Sequence, residues 1–420
     1  TAGESAGTAS GALALLGSET ENDAWTTAIG GHTWLGGLRY ELGARLGDSS
    51  GTRDGNPFDT STGSAGITLT QPLLQGFKID STRYSVAVAG KQSREAALQL
   101  ETRLQELLSE VETAWYDLIQ ARGSIRVQKE AVRLATQLYE DNRRKVQIGT
   151  LSVLDEKQSE SQAASARAAL SVAQRAYAEA QNRLKQLVLA DHRHFRQMEI
   201  NAVGDVTAQP VMVEPEAAGF RSLEQRTDLR QARIALERQG LAVAYQRNQT
   251  LPSLDLVGGY GVAASQADTY GDALDQMQSA DEPYWTLGVT LTFPLGNRAA
   301  QHRHAQSLAT AEKQRLELKK QEEIVLVEVD NAVAAVQTGF AQIQATKDAR
   351  VYAEQALEAE QRKLENGRST SFVVLQLQRD LTQARNNEIQ ALADYNRQIS
   401  GLALAEGAML ERHGVSLATE

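Results

Sequence analysis

EVETAWYDLIQARGSI at residues 110–125 returns as EVDNAVAAVQTGFAQI at residues 328–343, a shift of 218 positions without a gap. The same shift pairs Val111 with Val329, Ala114 with Ala332, Ile125 with Ile343, Lys145 with Lys363, Gly149 with Gly367, Arg167 with Arg385 and Tyr177 with Tyr395. A register held this far marks an internal repeat, so the unit to be folded is half the chain. Because the glycine recurs with its neighbours, RRKVQIGTLSVLDEKQS (143–159) contains a repeated break between two helices.

Around the first copy, Leu100, Leu104, Leu107, Val111, Ala114, Leu118 and Ile125 step by alternating fours and threes with one position skipped. That is a coiled-coil seam. No proline falls between Pro72 and Pro210. The spacing therefore predicts helices over about 80–147 and 154–189 around a tip at 148–153, and in the second copy over about 298–365 and 372–405 around a tip at 366–371. Upstream of each pair the period changes to two. Leu38, Tyr40, Leu42, Ala44 and Leu46 share one face of GLRYELGARL, with Arg39, Glu41 and Arg45 on the other, which predicts a strand over about 34–46. ITLTQPLL predicts a second over 65–74, LPSLDLVGGYGV a third over 253–263, and YWTLGVTLTFPLG a fourth over 284–294, with Pro72 and Pro294 ending their ladders.

The remaining segments read as connections. Residues 1–24 are small and polar and are expected to be flexible. GDSSGTRDGNPFDTSTGS is dense in turn formers and reads as a long exposed loop, and the acidic stretch Asp268–Glu282 as another. A crossover is expected at 191–222, a modest helix at 223–246 and a tail at 413–420. Repeat 1 then spans 25–190 and repeat 2 spans 223–412.

Composition narrows the function. A net charge of −10 without a basic block disfavours nucleic acid as a partner. The absence of cysteine removes disulfides, thiolate zinc sites and a thiol nucleophile. No run of eighteen apolar residues suggests a transmembrane helix, a test that β-strands escape. The opening TAGESAGTASGALALLGSETEN has no basic start followed by an apolar core, so a cytoplasmic protein or a processed form is expected. No Ser-His-Asp order, phosphate loop or carboxylate pair is apparent, so the chain reads as a non-enzyme without a cofactor. The triplets His192–His194 and His302–His304 read as partial sets, too poor in ligands for a metal site.

Two strands per repeat make four, too few to close a barrel, so several copies must cooperate. Apolar residues would face out and Thr, Gly, Arg and Glu would line a wet lumen, with Tyr284 and Trp285 suited to a membrane interface. The long helices would pair as a ring of antiparallel hairpins.

Through the junctions TQPLLQGF and TFPLGN, the segment RTDLRQARIALERQGLAVAYQRNQTLPSLDL and the turns KVQIGTLSVLD and KLENGRSTSFVVL, the chain resembles the TolC family of outer-membrane efflux and secretion ducts over about residues 25–412. The resemblance implies a mixed α and β fold of two repeats, each two strands plus a long antiparallel helical hairpin. It also implies a homotrimer whose twelve-stranded barrel in outer-membrane lipid joins a periplasmic helical barrel. The glycine turns would be periplasmic tips, where a periplasmic adaptor protein docks and connects to an inner-membrane transporter. Residue by residue, Gly149, Thr150 and Leu151 match the first tip, Gly367, Arg368 and Ser369 the second, with Lys145 and Lys363 beside them. Asp155 matches an acidic position that helps hold the tunnel shut. Where family members carry two acids past the second glycine, Val373 and Gln376 stand here, so the constriction is expected to be apolar and amide-lined. A soluble coiled-coil scaffold, a diffusion porin and a dedicated heavy-metal export duct are the competing readings.

Overall fold

The computed structural model describes residues 3–4, 19–34, 36–53, 56–189, 198–201 and 208–416. The protein is mixed α and β, and its contacts divide it into two compact units, residues 1–94 with 234–316 and residues 95–233 with 317–420. Neither unit is a repeat; each is built from both copies. The reason lies in the pairings: strands from the two copies share one sheet, and hairpins from the two copies pack side by side.

In the first unit, six strands form one antiparallel sheet in chain order: β1 (Gly3–Glu4), β2 (Glu19–His32), β3 (Arg39–Arg53), β4 (Asn56–Pro72), β5 (Ser253–Ala267) and β6 (Glu282–Thr292). Several expectations are corrected here. Part of the supposedly flexible start is β2, paired with β3 from Glu19↔Thr52 to His32↔Arg39; the other early residues, apart from Gly3 and Glu4, lie outside the described set. The segment read as a long loop is strand almost throughout, paired from Leu46↔Gly63 to Arg53↔Asn56. Its Ser, Thr, Gly and Asp content reflects faces that need no apolar selection, while the backbone still gains its ladder hydrogen bonds. The acidic stretch contains a helix, α5 (Tyr270–Ser279), started by Thr269, whose hydroxyl accepts from the Asp272 amide at 3.2 Å. Ala273 and Met277 of α5 pack against Leu46, Ala264 and Ala267.

The helices build the second unit and part of the first, which also holds the helical residues 81–94, 234–248 and 298–316. α1 (Ser81–Gln147) and α2 (Val153–Val188) form the first hairpin, and α6 (Arg298–Glu365) and α7 (Ser371–Glu406) the second, while α3 (Pro215–Gln225) and α4 (Thr227–Asn248) lie between them in the chain and α8 (Met409–Arg412) follows. The bounds of α2 and α7 differ by the same 218 residues as the sequence repeat. α3 occupies part of the expected crossover, and the helix expected from 223 is broken at Arg226, which caps α3. Ala114 and Leu118 of the predicted seam are buried against Leu184 of α2, but Leu100 is exposed and Leu98 is buried in its place. Val329, Val333, Val336 and Ile343 of α6 pack with Ala391, Tyr395 and Leu402 of α7. α6 holds an 18-residue window of mean hydropathy 1.3, long and apolar enough by length and composition to cross a membrane, of which 28% is buried.

Candidate functional site

Two surfaces stand out, an apolar sheet face and the two hairpin tips. The alternation read from the strands places side chains in rows across the sheet. One row runs Ile29, Leu42, Ile67, Tyr260, Trp285 through direct cross-strand partners, and the next pairs Tyr40, Leu69, Gly258 and Leu287. Among the described residues α5 covers this face at its Leu46–Ala264 end, and beyond it Ile29, Leu42, Tyr260 and Trp285 are exposed, Trp285 at 72%. The alternate row carries Gly30, Glu41, Thr68, Gly259 and Thr286. From Leu254 and Leu291 at one end to Ala264, Leu46 and Trp25 at the other, the apolar face covers five two-residue steps on β5. At about 3.4 Å per residue this is about 34 Å along a strand, or about 25 Å of membrane at a tilt of roughly 40°. A transmembrane barrel has an apolar band of about that height. Tyr284 does not join Trp285 on this face. It lies on the opposite one over Gly66 and Gly261, where an added Cβ would come within 2.9 Å and 2.7 Å of its hydroxyl.

The tips repeat in structure as they do in sequence. Gly149 (φ +74°) and Gly367 (φ +71°) take the left-handed conformation that glycine adopts without penalty. The Thr150 amide donates to the Lys145 carbonyl at 2.9 Å and the Gly149 amide to Val146 at 3.0 Å. In the second tip, Arg368 donates to Lys363 at 2.8 Å and Gly367 to Leu364 at 3.1 Å. These are paired Schellman motifs, so the repeated lysines sit in the last helical turn, where a positive charge suits the helix dipole. Lys363 also bonds Glu360 at 2.9 Å, and Ser369 donates to the same carboxylate. The Ser369 and Lys363 hydrogen bonds hold Glu360 below the usual carboxylate range. Replacing Glu360 with Gln is expected to speed hydrogen exchange of the Gly367 and Arg368 amides severalfold and to leave the first tip unchanged.

Asp155 serves first as a capping residue. The Ser152 hydroxyl accepts from the Asp155 amide at 3.3 Å and donates to its carboxylate at 2.7 Å. Ser152→Ala is expected to fray the start of α2 by about 1 kcal/mol, read as faster amide exchange over residues 154–156. Val373 and Gln376 are exposed on α7, while Val374, Leu375 and Leu381 on the opposite side are buried with Leu138 and Leu357. Sequence reasoning missed the tie between the hairpins just behind the tips: Ser371 donates to Asn142 at 3.0 Å, both buried. Single polar residues in helices give no signal for such a pairing. It also missed the apolar character of the tips, where Ile148 (73% exposed), Val153, Leu154 (66%) and Phe372 face solvent. Among the described residues no group of three potential metal ligands occurs; His302 and His304 lie on α6, and His192–His194 fall outside the described set.

An antiparallel sheet with an apolar belt, in one chain with duplicated helical hairpins that end in matched glycine tips, defines a membrane-inserting sheet-and-hairpin protein. The model of the outer membrane efflux protein family matches residues 38–188 and 221–408, and the chain belongs to that family. It is similar to the outer membrane protein TolC of Vibrio cholerae serotype O1, with 23% identity over 381 residues, 89% of this chain and 83% of that protein. In fold it is similar to the Campylobacter jejuni CmeC outer membrane channel, with a TM-score of 0.72 at 15% identity over 96% of this chain and 79% of that one. It is also similar to the outer-membrane channel OprN, with a TM-score of 0.73 at 16% identity over 93% and 81%. The protein is thus an outer-membrane efflux protein.

Proposed function

We propose that three copies of this chain form the passive exit duct of a tripartite efflux pump or type I secretion system. The sheets close in the outer membrane and the hairpins reach through the periplasm to an adaptor protein coupled to an inner-membrane transporter. The observation that carries this reading is the pair of tips with the same Schellman geometry and with Ile148, Val153, Leu154 and Phe372 left exposed. Apolar side chains concentrated at the end of a helical hairpin favour a protein partner. Lys145, Gly149, Thr150 and Leu151, with Lys363, Gly367, Arg368 and Ser369, form the docking surface. Asp155, Val373 and Gln376 line the constriction, and opening is a rearrangement of the hairpins driven by the partner. The chain supplies the conduit, and the transporter selects the cargo.

The test is the size and shape of detergent-extracted protein from the membrane fraction, by sizing and electron microscopy. An elongated trimer is expected, and a soluble monomer or dimer would overturn the reading.

A further inference from the structure

The apolar row of β4 continues past its last ladder pair, Pro72↔Asp255. The Leu73 amide donates to the Leu254 carbonyl at 2.7 Å, so the chain stays extended for one more step and Leu73 falls in the row of Ile67 and Leu69. There it enters a groove of about 640 Å³ between the β4–α1 connection and the end of α4. Leu73, Leu74, Phe77, Val243 and Leu251 form its apolar wall, and the cations Lys78 and Arg247 line the same groove. We infer that this groove binds an anionic phospholipid of the periplasmic leaflet, at the Leu254 and Leu291 end of the belt. An acyl chain lies along Leu73, Leu74, Phe77 and Leu251, and the headgroup phosphate sits on Lys78 and Arg247.

The first argument is that the groove is held open by its own hydrogen bonds. The Gly76 amide donates to Asn248 Oδ1 at 2.7 Å, and Gln75 donates to the Gln249 side chain at 2.7 Å. The Arg83 guanidinium donates to the Gly76 and Phe77 carbonyls at 2.6 Å and 2.8 Å, and Tyr84 stacks on Tyr245 with ring centroids 4.7 Å apart. The connection and α4 are thus fixed to each other without filling the space between them. Leu73, Leu74, Phe77 and Leu251 remain exposed in it. A preformed apolar groove with a few polar groups is the usual form of a site for a small amphiphile.

The second argument is charge. Asp80, two residues after Lys78, is already engaged by the Arg83 side chain at 2.7 Å and by the Arg83 amide at 2.8 Å. Among the described residues Lys78 and Arg247 form no ion pair. Two uncompensated cations beside exposed apolar side chains match a molecule that is anionic at one end and hydrocarbon at the other. Guanidinium and ammonium groups bind phosphate by charge-assisted hydrogen bonds, and basic pockets at the edge of a bilayer select anionic headgroups. The third argument is position: the row that faces lipid runs into the groove at Leu73, so a bilayer lipid reaches it without leaving the membrane.

The inference rests on the outer-membrane placement and not on the proposed trimer. Delipidated, detergent-extracted protein is titrated with phosphatidylglycerol and, separately, with phosphatidylcholine, and the adducts are counted by native mass spectrometry. Phosphatidylglycerol is expected to bind on the order of tenfold more tightly, because two cations meet a net negative headgroup. Lys78→Gln with Arg247→Gln should abolish the preference. Arg94→Gln with Arg298→Gln, which removes two exposed cations of the same unit outside the groove, should keep it. Gly240→Leu tests the apolar part. Gly240 lines the groove on α4, nothing among the described residues lies within 4 Å of a Cβ added there, and leucine is the better helix former, so the variant folds while the groove is filled. It is expected to lose the tight phosphatidylglycerol adduct. Equal binding of the two lipids by the natural protein, or an undiminished adduct in Gly240→Leu, would overturn the inference. Saturation by dodecyl phosphate without any tight phosphatidylglycerol adduct would also overturn it, by making the occupant a single-chain amphiphile. The same spectra give the subunit number, so a monomer or dimer overturns the proposed duct while the adducts still decide this inference.

Discussion

Gly149→Val combined with Gly367→Val is expected to leave assembly and membrane insertion intact and to reduce export by on the order of tenfold or more. Among the described residues nothing lies within 4 Å of a Cβ added at either glycine, so the penalty is not a collision. The penalty is in the backbone: a left-handed φ costs an L-residue about 1–2 kcal/mol, most for a β-branched one. Each turn relieves it by leaving that conformation, which breaks the amide-to-carbonyl bonds from Thr150 to Lys145 and from Arg368 to Lys363. Ile148, Leu154 and Phe372 are then re-aimed, and losing even one well-packed anchor commonly costs an interface about 2 kcal/mol. The hairpin core begins behind the turns, at Leu138, Leu357, Val374 and Leu375, and has no reason to change. Asparagine at both positions tolerates the left-handed conformation and should retain most export. Export assays beside sizing of the extracted protein check the pair. Unimpaired export in the valine variant would remove the tips from the docking surface.

Arg226→Ala is expected to be the most destabilising single substitution in the helical unit, by about 3 kcal/mol, because it leaves carboxylates without their cation. Arg226 stands between α3 and α4, with its side chain only 16% exposed. It bonds Asp228 at 2.7 Å and Glu328 of α6 at 2.6 Å. Asp228 in turn accepts from the Leu229 amide at 2.9 Å and from Gln321 at 3.2 Å. Arg226→Lys keeps the charge but not the two-pronged geometry and should fall between the two. Burial pushes the Asp228 carboxyl up, but the Arg226 guanidinium and the Leu229 and Gln321 donors hold it below its ordinary value. A carboxylate depressed in the folded state stabilises fully above its unfolded pKa. That contribution is lost as pH falls through the folded value, here below about pH 4. In Arg226→Ala the desolvated acid loses its main partner and its share of the acid sensitivity should shrink or reverse. Thermal melts of the two proteins from pH 3 to 7 measure both effects.

The residues that were legible in the sequence are those whose structure is set by near neighbours. Gly149 and Gly367 could be read as paired turns because a helix end and its left-handed glycine are fixed within about six residues, and the 218-residue shift repeated the signal. The long helices follow from a seam of period three and four, and the strands at Tyr40–Leu46 and Trp285–Phe293 from alternation under a one-sided belt. The strand ends at Gly47–Arg53 and Asn56–Ser64 were missed because, past the belt, neither face selects apolar residues and only the partner strand holds them extended. β2 was hidden in the same way by its acidic, polar start, although Trp25 and Ile29 carry the alternation.

By itself, then, the sequence determined the repeat, the hairpins with their glycine turns and the apolar alternation, because these depend on local backbone preference and on the period of one element. Only the tertiary structure decided which elements are neighbours. It placed β2 on the edge of β3, put both repeats into one sheet, set Ser371 against Asn142 and brought Arg226 to Glu328. The pairing of strands from the two copies, and the buried partner of a lone serine or arginine, depend on residues a hundred or more positions away. No period within a single segment encodes them.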